Sequence, residues 1–293
     1  MQTKLVQHDV TPQQLDRFAK LIYRHIGVAV SPQKITLLSN RLRRRMRQNG
    51  MTCYDDYYRL LSESPLDGSE WEGFLQEVTT HETYLFRDLQ HWNWLRDKFV
   101  PELTAAVRHG MRPPRIRIWS AACSTGDEAT TVACCLADRM TPLNIWDVKI
   151  LGTDVGADTV RQARTLTFGR RAMHLVPESY RTRFFAADPT GSTAVAKPIL
   201  RNMLQFEVHN LLAPMRQPAF DLIILKNVLI YFDAESKRKV LDNVCRALRP
   251  GGTLITGAAD GAAEFLKDYH SSQGWLHRPI PVASRADAER KLL

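Results

Sequence analysis

Several things are scarce in these 293 residues. Cysteine occurs five times, at Cys53, Cys123, Cys134, Cys135 and Cys245, an odd set without Cys-x-x-Cys spacing. The sequence therefore predicts neither a disulfide framework nor a zinc site, and no metal is expected. Long apolar runs are missing too. The longest is Val132 to Ala137, far short of the roughly 18 residues a membrane-spanning helix needs, so membrane insertion is not expected. The polar start, Met1 to Asp9, lacks the apolar core of a secretory signal. Reduced thiols and the lack of such segments predict a cytoplasmic location.

Acidic residues vanish from one stretch. Between Asp16 and Asp55 there are none, while Arg17, Lys20, Arg24, Lys34, Arg41, Arg43, Arg44, Arg45 and Arg47 all fall there. The chain carries a net charge of +9, and this block predicts an acidic partner. What remains is ordinary globular composition, 44% hydrophobic and 24% charged with 15 Gly and 15 Pro, which excludes a disordered, collagenous or coiled-coil chain. A chain this long can bury a core without staples, as one large domain and a small one.

The first seventy-odd residues read as short helices. Thr11-Pro12 and Ser31-Pro32 each set a capping hydroxyl before a proline at the first helical position. In the second helix Ile35, Leu38, Leu42 and Met46 recur at helical spacing, with Arg44 and Arg47 pointing away from that stripe and Arg41 and Arg43 flanking them. Gly50 ends it. Ser69 with Glu72 has the spacing of a capping box opening a helix through Val78.

From about Arg115 strands alternate with helices. Ile116 to Ser120, Val148 to Thr153, Leu204 to His209, Leu222 to Leu225 and Thr253 to Thr256 are short, apolar and β-prone. Helical stretches lie between them at Glu128 to Met140, Asp158 to Arg164 and Glu235 to Leu248, the last closed by Arg249-Pro250-Gly251-Gly252. This alternation predicts a parallel sheet covered on both faces, with ligands at the carboxyl ends of its strands. Pro189 to Lys197 reads as an inserted loop or small hairpin.

Those strand ends carry the polar residues. The first runs into Ala121-Ala122-Cys123-Ser124-Thr125-Gly126-Asp127-Glu128, where small residues let backbone amides approach a ligand. It is neither Gly-x-Gly-x-x-Gly nor a phosphate loop ending in Gly-Lys-Ser/Thr, which argues against dinucleotides and nucleoside triphosphates. The second ends at Gly152-Thr153-Asp154, a carboxylate where doubly wound folds hold ribose hydroxyls, or equally a helix cap. The third leads from Phe220 through Leu225 into Lys226-Asn227-Val228-Leu229-Ile230-Tyr231-Phe232.

Together with Thr79-Thr80-His81-Glu82-Thr83-Tyr84-Leu85-Phe86-Arg87-Asp88, Asn210-Leu211-Leu212 and the later Leu-Arg-Pro-Gly-Gly turn, these segments resemble the CheR family, the S-adenosylmethionine-dependent chemoreceptor glutamate methyltransferases. The motifs run in family order over about residues 11 to 280. The resemblance implies a class I, Rossmann-like methyltransferase: a doubly wound α/β sheet with an all-helical N-terminal domain and an inserted β-subdomain. The implied boundaries are 1–78 for the helical, receptor-docking domain, 79–114 for a linker that contacts the cofactor, and 115–293 for the methyltransferase domain, with the insert near 188–205.

The same resemblance implies a site. S-adenosylmethionine, leaving as S-adenosylhomocysteine, would meet His81, Thr83, Arg87, Ala122, Gly126, Asp127, Glu128, Asp154, Asn210, Leu211, Lys226 and Asn227. Within that set Asp154 would serve the ribose, Asp127 or Glu128 the amino-acid end, and Asn210, Leu211 and Asn227 the adenosine. Tyr231 and Arg87 would be catalytic. Arg41, Arg43, Arg44 and Arg47 would dock on a chemoreceptor's cytoplasmic helical domain. His81, Cys123 and Lys226 stand where the family usually has Asn, Ala and Arg, and Gly257-Ala258-Ala259-Asp260 replaces Gly-His-Ser-Glu. These departures keep open a different carboxylate acceptor, or a signalling module that binds the cofactor and turns over weakly. A nucleic-acid substrate is disfavoured, because Asn227-Val228-Leu229-Ile230-Tyr231 lacks the Asn/Asp-Pro-Pro-aromatic strand tip of base methylation.

Overall fold

The structure, a computed structural model, describes residues 10–30, 35–66, 68–216 and 219–280. The expected Ser31-Pro32 cap, Lys34 and the polar start at residues 1–9 lie outside the described residues. Four helices come first: α1 (Pro12–Ile26), α2 (Ile35–Gln48), α3 (Tyr54–Glu63) and α4 (Ser69–Val78). Thr11 closes both halves of a capping box with Gln14, and Gly27 ends α1 in a left-handed conformation at φ 72°. Phe18, Leu42, Tyr57 and Phe74 meet in one core. The capping box expected at Ser69 is not formed: Gly68 is the cap, with no side chain to accept from the orphan amides, and Ser69 is already the first residue of α4.

Residues 89–108 are helical where the sequence suggested a linker. Leu89–Trp94 continues through one wide turn, Leu95–Phe99, into Val100–Arg108. The wide turn has Val100 donating to the Leu95 carbonyl. It lies just before Pro101, which has no N–H for the carbonyl four residues back.

The strands are β1 (Arg115–Ala121), β2 (Asp147–Asp154), β3 (Thr167–Gly169), β4 (Phe185–Ala187), β5 (Thr193–Ala196), β6 (Leu204–Val208), β7 (Phe220–Leu225), β8 (Leu248–Thr256), β9 (Tyr269–Ser272) and β10 (Leu276–Pro279). Seven form one sheet in the order β6-β2-β1-β7-β8-β10-β9. The first five pair in parallel, while β10 and β9 add an antiparallel edge that the sequence did not announce. Side chains alternate between faces. Ile116, Ile118, Ile150, Leu222 and Ile224 join the core under helices Asp127–Arg139 and Ala157–Thr165. Trp119, Leu151, Ile223 and Leu225 join the opposite core under helix Ala234–Ala247. Arg249 to Gly252, expected as a turn, begins β8 with a register shift against β7.

The small sheet, of order β3-β5-β4, lies between Thr167 and Ala196, earlier than the 188–205 interval expected for the insert. Leu204 already belongs to the main sheet. Strands of three and four residues are too short to leave a periodic trace in the sequence. Pro189 lies in the β4–β5 hairpin turn, which is tied by the Asp188 carboxylate accepting from Ser192 and Thr193.

Candidate active site

Parallel pairing brings the ends of β1, β2 and β7 level, since Ala121 stands beside both Thr153 and Leu225. A cavity of about 440 Å³ opens above them, within the size range of small-molecule sites. Its wall includes His81, Thr83, Arg87, Ala122, Glu128, Asp154, Asn210, Leu211, Lys226, Asn227 and Tyr231. Among the described residues no cluster of His, Cys, Asp or Glu could hold a metal ion, and no helix is long and apolar enough to cross a membrane.

The turn after β1 is built by left-handed residues, Ala122 at φ 59°, Ser124 at 50° and Gly126 at 86°. A Cβ on Gly126 would press on Phe206 and Ala163. Asp154 holds this turn, one oxygen accepting from Ser124 N at 2.9 Å and the other from Gly156 N at 3.0 Å. Each oxygen keeps a second lone pair for a ligand. The side chain thus serves the backbone as well as the cavity it borders.

On the other side of the cavity Lys226 is 2% exposed, with Nζ 3.1 Å from Asp88 and 3.6 Å from Glu128, above the Trp92 ring. Glu128 also accepts from Ser120 Oγ at 2.7 Å; burial pushes its carboxyl up, against the pull of Lys226. Arg87 sits between two left-handed residues, Phe86 at φ 62° and Asp88 at φ 61°. Such backbone costs about 1–3 kcal/mol per residue and persists only where neighbours enforce it. Here Thr131 Oγ1 accepts from Phe86 N, Trp92 Nε1 donates to the Arg87 carbonyl, and Lys226 holds Asp88.

His81 lies 2.7 Å from Thr79 Oγ1 and 3.4 Å from Thr159 Oγ1. Burial lowers its pKa and the Asp154 carboxylate opposes that shift. A neutral ring next to two hydroxyls can both donate and accept.

The helical domain supplies further wall residues. Ile22, Ile26, Val28, Leu37 and Leu38 face the cavity, and no local pattern distinguished them from ordinary core positions. Asn210 donates to the His25 carbonyl at 2.6 Å, Val28 bridges to Phe232, and Tyr23 donates to Asp233 at 2.9 Å. Arg41 turns into the cavity instead of flanking an outer face: its guanidinium donates to the Val78 carbonyl and to Thr80 Oγ1. Arg43 donates to Ser39, Arg44 pairs with Glu77 at 3.1 Å while 64% exposed, and Arg47 is exposed.

Two expected site residues fall outside the wall. Gly126 and Asp127 do not line the cavity. Asp127 is 1% exposed: one oxygen accepts from Thr125 Oγ1 at 2.5 Å, the other is buried without a hydrogen-bond partner, and burial pushes the carboxyl up. Glu128, one helical step of about 100° away, is the carboxylate that reaches the cavity.

Comparison with known proteins agrees with this architecture. Residues 13–79 match the CheR methyltransferase all-alpha domain and residues 81–273 the CheR methyltransferase SAM binding domain. A chemotaxis protein methyltransferase 1 of Pseudomonas aeruginosa is 33% identical over 275 residues, covering 89% of this chain and 96% of that protein. Chemotaxis protein methyltransferases of Escherichia coli, 31% identical over 86% of both chains, and of Borreliella burgdorferi, 28% identical over 86% and 89%, are similar. The chain belongs to the CheR methyltransferase family and is an S-adenosylmethionine-dependent methyltransferase.

Proposed function

We propose that this enzyme methylates glutamate side chains in the cytoplasmic helical domain of a chemoreceptor, giving methyl esters. The observation that carries the reading is the cavity itself, where the strand ends and the helical domain enclose one space lined by Arg87, Asp154 and Tyr231. The names of the similar chemotaxis methyltransferases support the choice of acceptor.

The residues present suit the cofactor: a buried carboxylate with spare lone pairs at Asp154, an apolar contact at Leu211, and a largely buried acidic side chain at Glu128. In our reading Asp154 holds the ribose, Glu128 faces the amino-acid end, and His81, Thr83, Ala122, Asn210, Leu211, Lys226 and Asn227 complete the contacts. The cofactor supplies a methyl group on a positively charged sulfur. A glutamate with a pKa near 4.3 is already ionised at neutral pH, so the acceptor needs no general base. The enzyme's part is alignment, for which effective molarities of about 10⁵ to 10⁸ M are available, and exclusion of water. Arg87 and Tyr231 orient the acceptor carboxylate in this scheme.

The basic helix α2 docks the receptor. Arg44 and Arg47 are the exposed members of its set, with Arg43 half-buried and Arg41 reaching the cavity wall. Transfer of labelled methyl to receptor cytoplasmic fragments, released by mild base, tests the proposal. Cofactor binding by calorimetry with no transfer to any receptor fragment would refute it.

A further inference from the structure

Asp260 is completely buried and lines no part of the cavity. Its surroundings are nevertheless specific. One carboxylate oxygen accepts from Asn227 N and from Gly257 N, both at 2.8 Å. Its other oxygen is buried without a hydrogen-bond partner, and burial pushes the carboxyl up while the Asn227 and Gly257 amides pull it back. A single side chain therefore ties the end of β7 to the end of β8. Packing leaves no slack: a Cβ on Gly257 would lie 2.6 Å from the accepting oxygen and 3.1 Å from Asn227 N.

The bound segment needs such a tie. Asn227 is left-handed at φ 58°, a conformation that asparagine tolerates better than other residues bearing a Cβ but that glycine alone adopts freely. From it the chain makes one tight turn, Leu229–Tyr231, and delivers Tyr231 to the cavity wall. A buried carboxylate is an expensive way to hold a loop, costing several kcal/mol of lost hydration unless hydrogen bonds replace the water. Here one of the two comes from Asn227, which opens the segment leading to Tyr231.

We propose that Asp260 is a positioning residue for methyl transfer: through the backbone amides of Asn227 and Gly257 it sets where Asn227 and Tyr231 stand. The proposal rests on the roles given to those two side chains above. Misplacement by about 1 Å can cost a hundredfold in rate, so the turn's geometry is worth fixing.

The test uses the full-length enzyme, with S-adenosylhomocysteine binding by calorimetry and turnover per folded molecule well below the melting temperature. Asp260→Asn keeps the volume and one acceptor oxygen but removes the charge. We expect affinity to fall about tenfold and kcat to fall about ten- to a hundredfold. In a Tyr231→Phe background the same change should lower kcat less than about threefold, because the tyrosine it places is already disabled. Gly257→Ala, which presses on the carboxylate without removing it, should reproduce both losses even if Asp260→Asn fails to fold. A lower melting temperature with wild-type affinity and turnover would overturn the proposal, as would an undiminished loss of kcat in the Tyr231→Phe background. If Tyr231→Phe alone leaves kcat intact, the role given to Tyr231 fails, and the affinity measurement still decides whether Asp260 places Asn227.

Discussion

The backbone amide of Ala29 donates to the carbonyl of Tyr231 at 2.9 Å, so a segment of the helical domain holds the turn that faces the cavity. Removing that donor should separate chemistry from binding. Ala29→Pro loses one hydrogen bond, about 1 kcal/mol, and should reduce kcat several-fold while S-adenosylhomocysteine affinity changes less than about twofold. Steady-state kinetics paired with calorimetry reads the difference.

Lys226 is enclosed by Asp88, Glu128 and the Trp92 ring. Lys226→Met strips the charge and leaves Glu128 buried without a cation, which should cost about 3–5 kcal/mol in urea unfolding. Adding Glu128→Gln to the same protein should recover much of that loss, since no buried anion is then left unpaired.

His91 and His277 are 1% and 0% exposed, and burial pulls both pKa values down to about 4. Near Lys226 the positive charge adds to the effect on His91. In the unfolded chain each titrates near 6.5, so between about pH 6.5 and pH 4 the unfolded state binds more protons. Stability should fall with falling pH through that window, by up to about 1.4 kcal/mol per unit for each histidine, and should not depend on them above it. The buried carboxyls of Asp127, Glu128 and Asp260, held above their usual range, oppose the loss at its acid end. Comparing urea midpoints at pH 7.5 and 5.0 for wild type and for His277→Gln isolates the histidine contribution, which should shrink in the variant.

Arg44→Glu combined with Arg47→Glu alters only exposed positions of α2. Association with receptor cytoplasmic fragments should weaken at least tenfold at low salt, with the gap narrowing as salt rises, because exposed charges are screened beyond about 10 Å at 0.1 M. Cofactor affinity should stay within about twofold. Equal loss of both would point to misfolding.

Much of this arrangement was legible because buried parallel strands write themselves plainly. All six residues of β7 are buried, and the run from Phe220 to Leu225 ends abruptly at Lys226 and Asn227. The turn after β1 and Asp154 were readable for the same reason. Between Asp127 and Glu128 the sequence offered no choice, since neighbouring carboxylates at a helix start look alike until the helix's rotation is known. Helix α2 shows the same limit: its arginines were evident, but Arg41 faces inward because tertiary packing, not periodicity, sets α2 against Val78 and Thr80. The strands Tyr269–Ser272 and Leu276–Pro279 escaped notice because four residues containing serines, histidines and a proline carry no alternation.

On the function proposed above, the apolar roof contributed by Ile22, Val28 and Leu37 would make the domain that meets the receptor and the cover of the cofactor cavity a single piece of protein. Exchanging that piece for a relative's would carry two properties at once: which acceptor is admitted, and how long the spent thioether lingers before it escapes. Selection for faster product escape and selection for a new receptor would therefore act on the same few side chains.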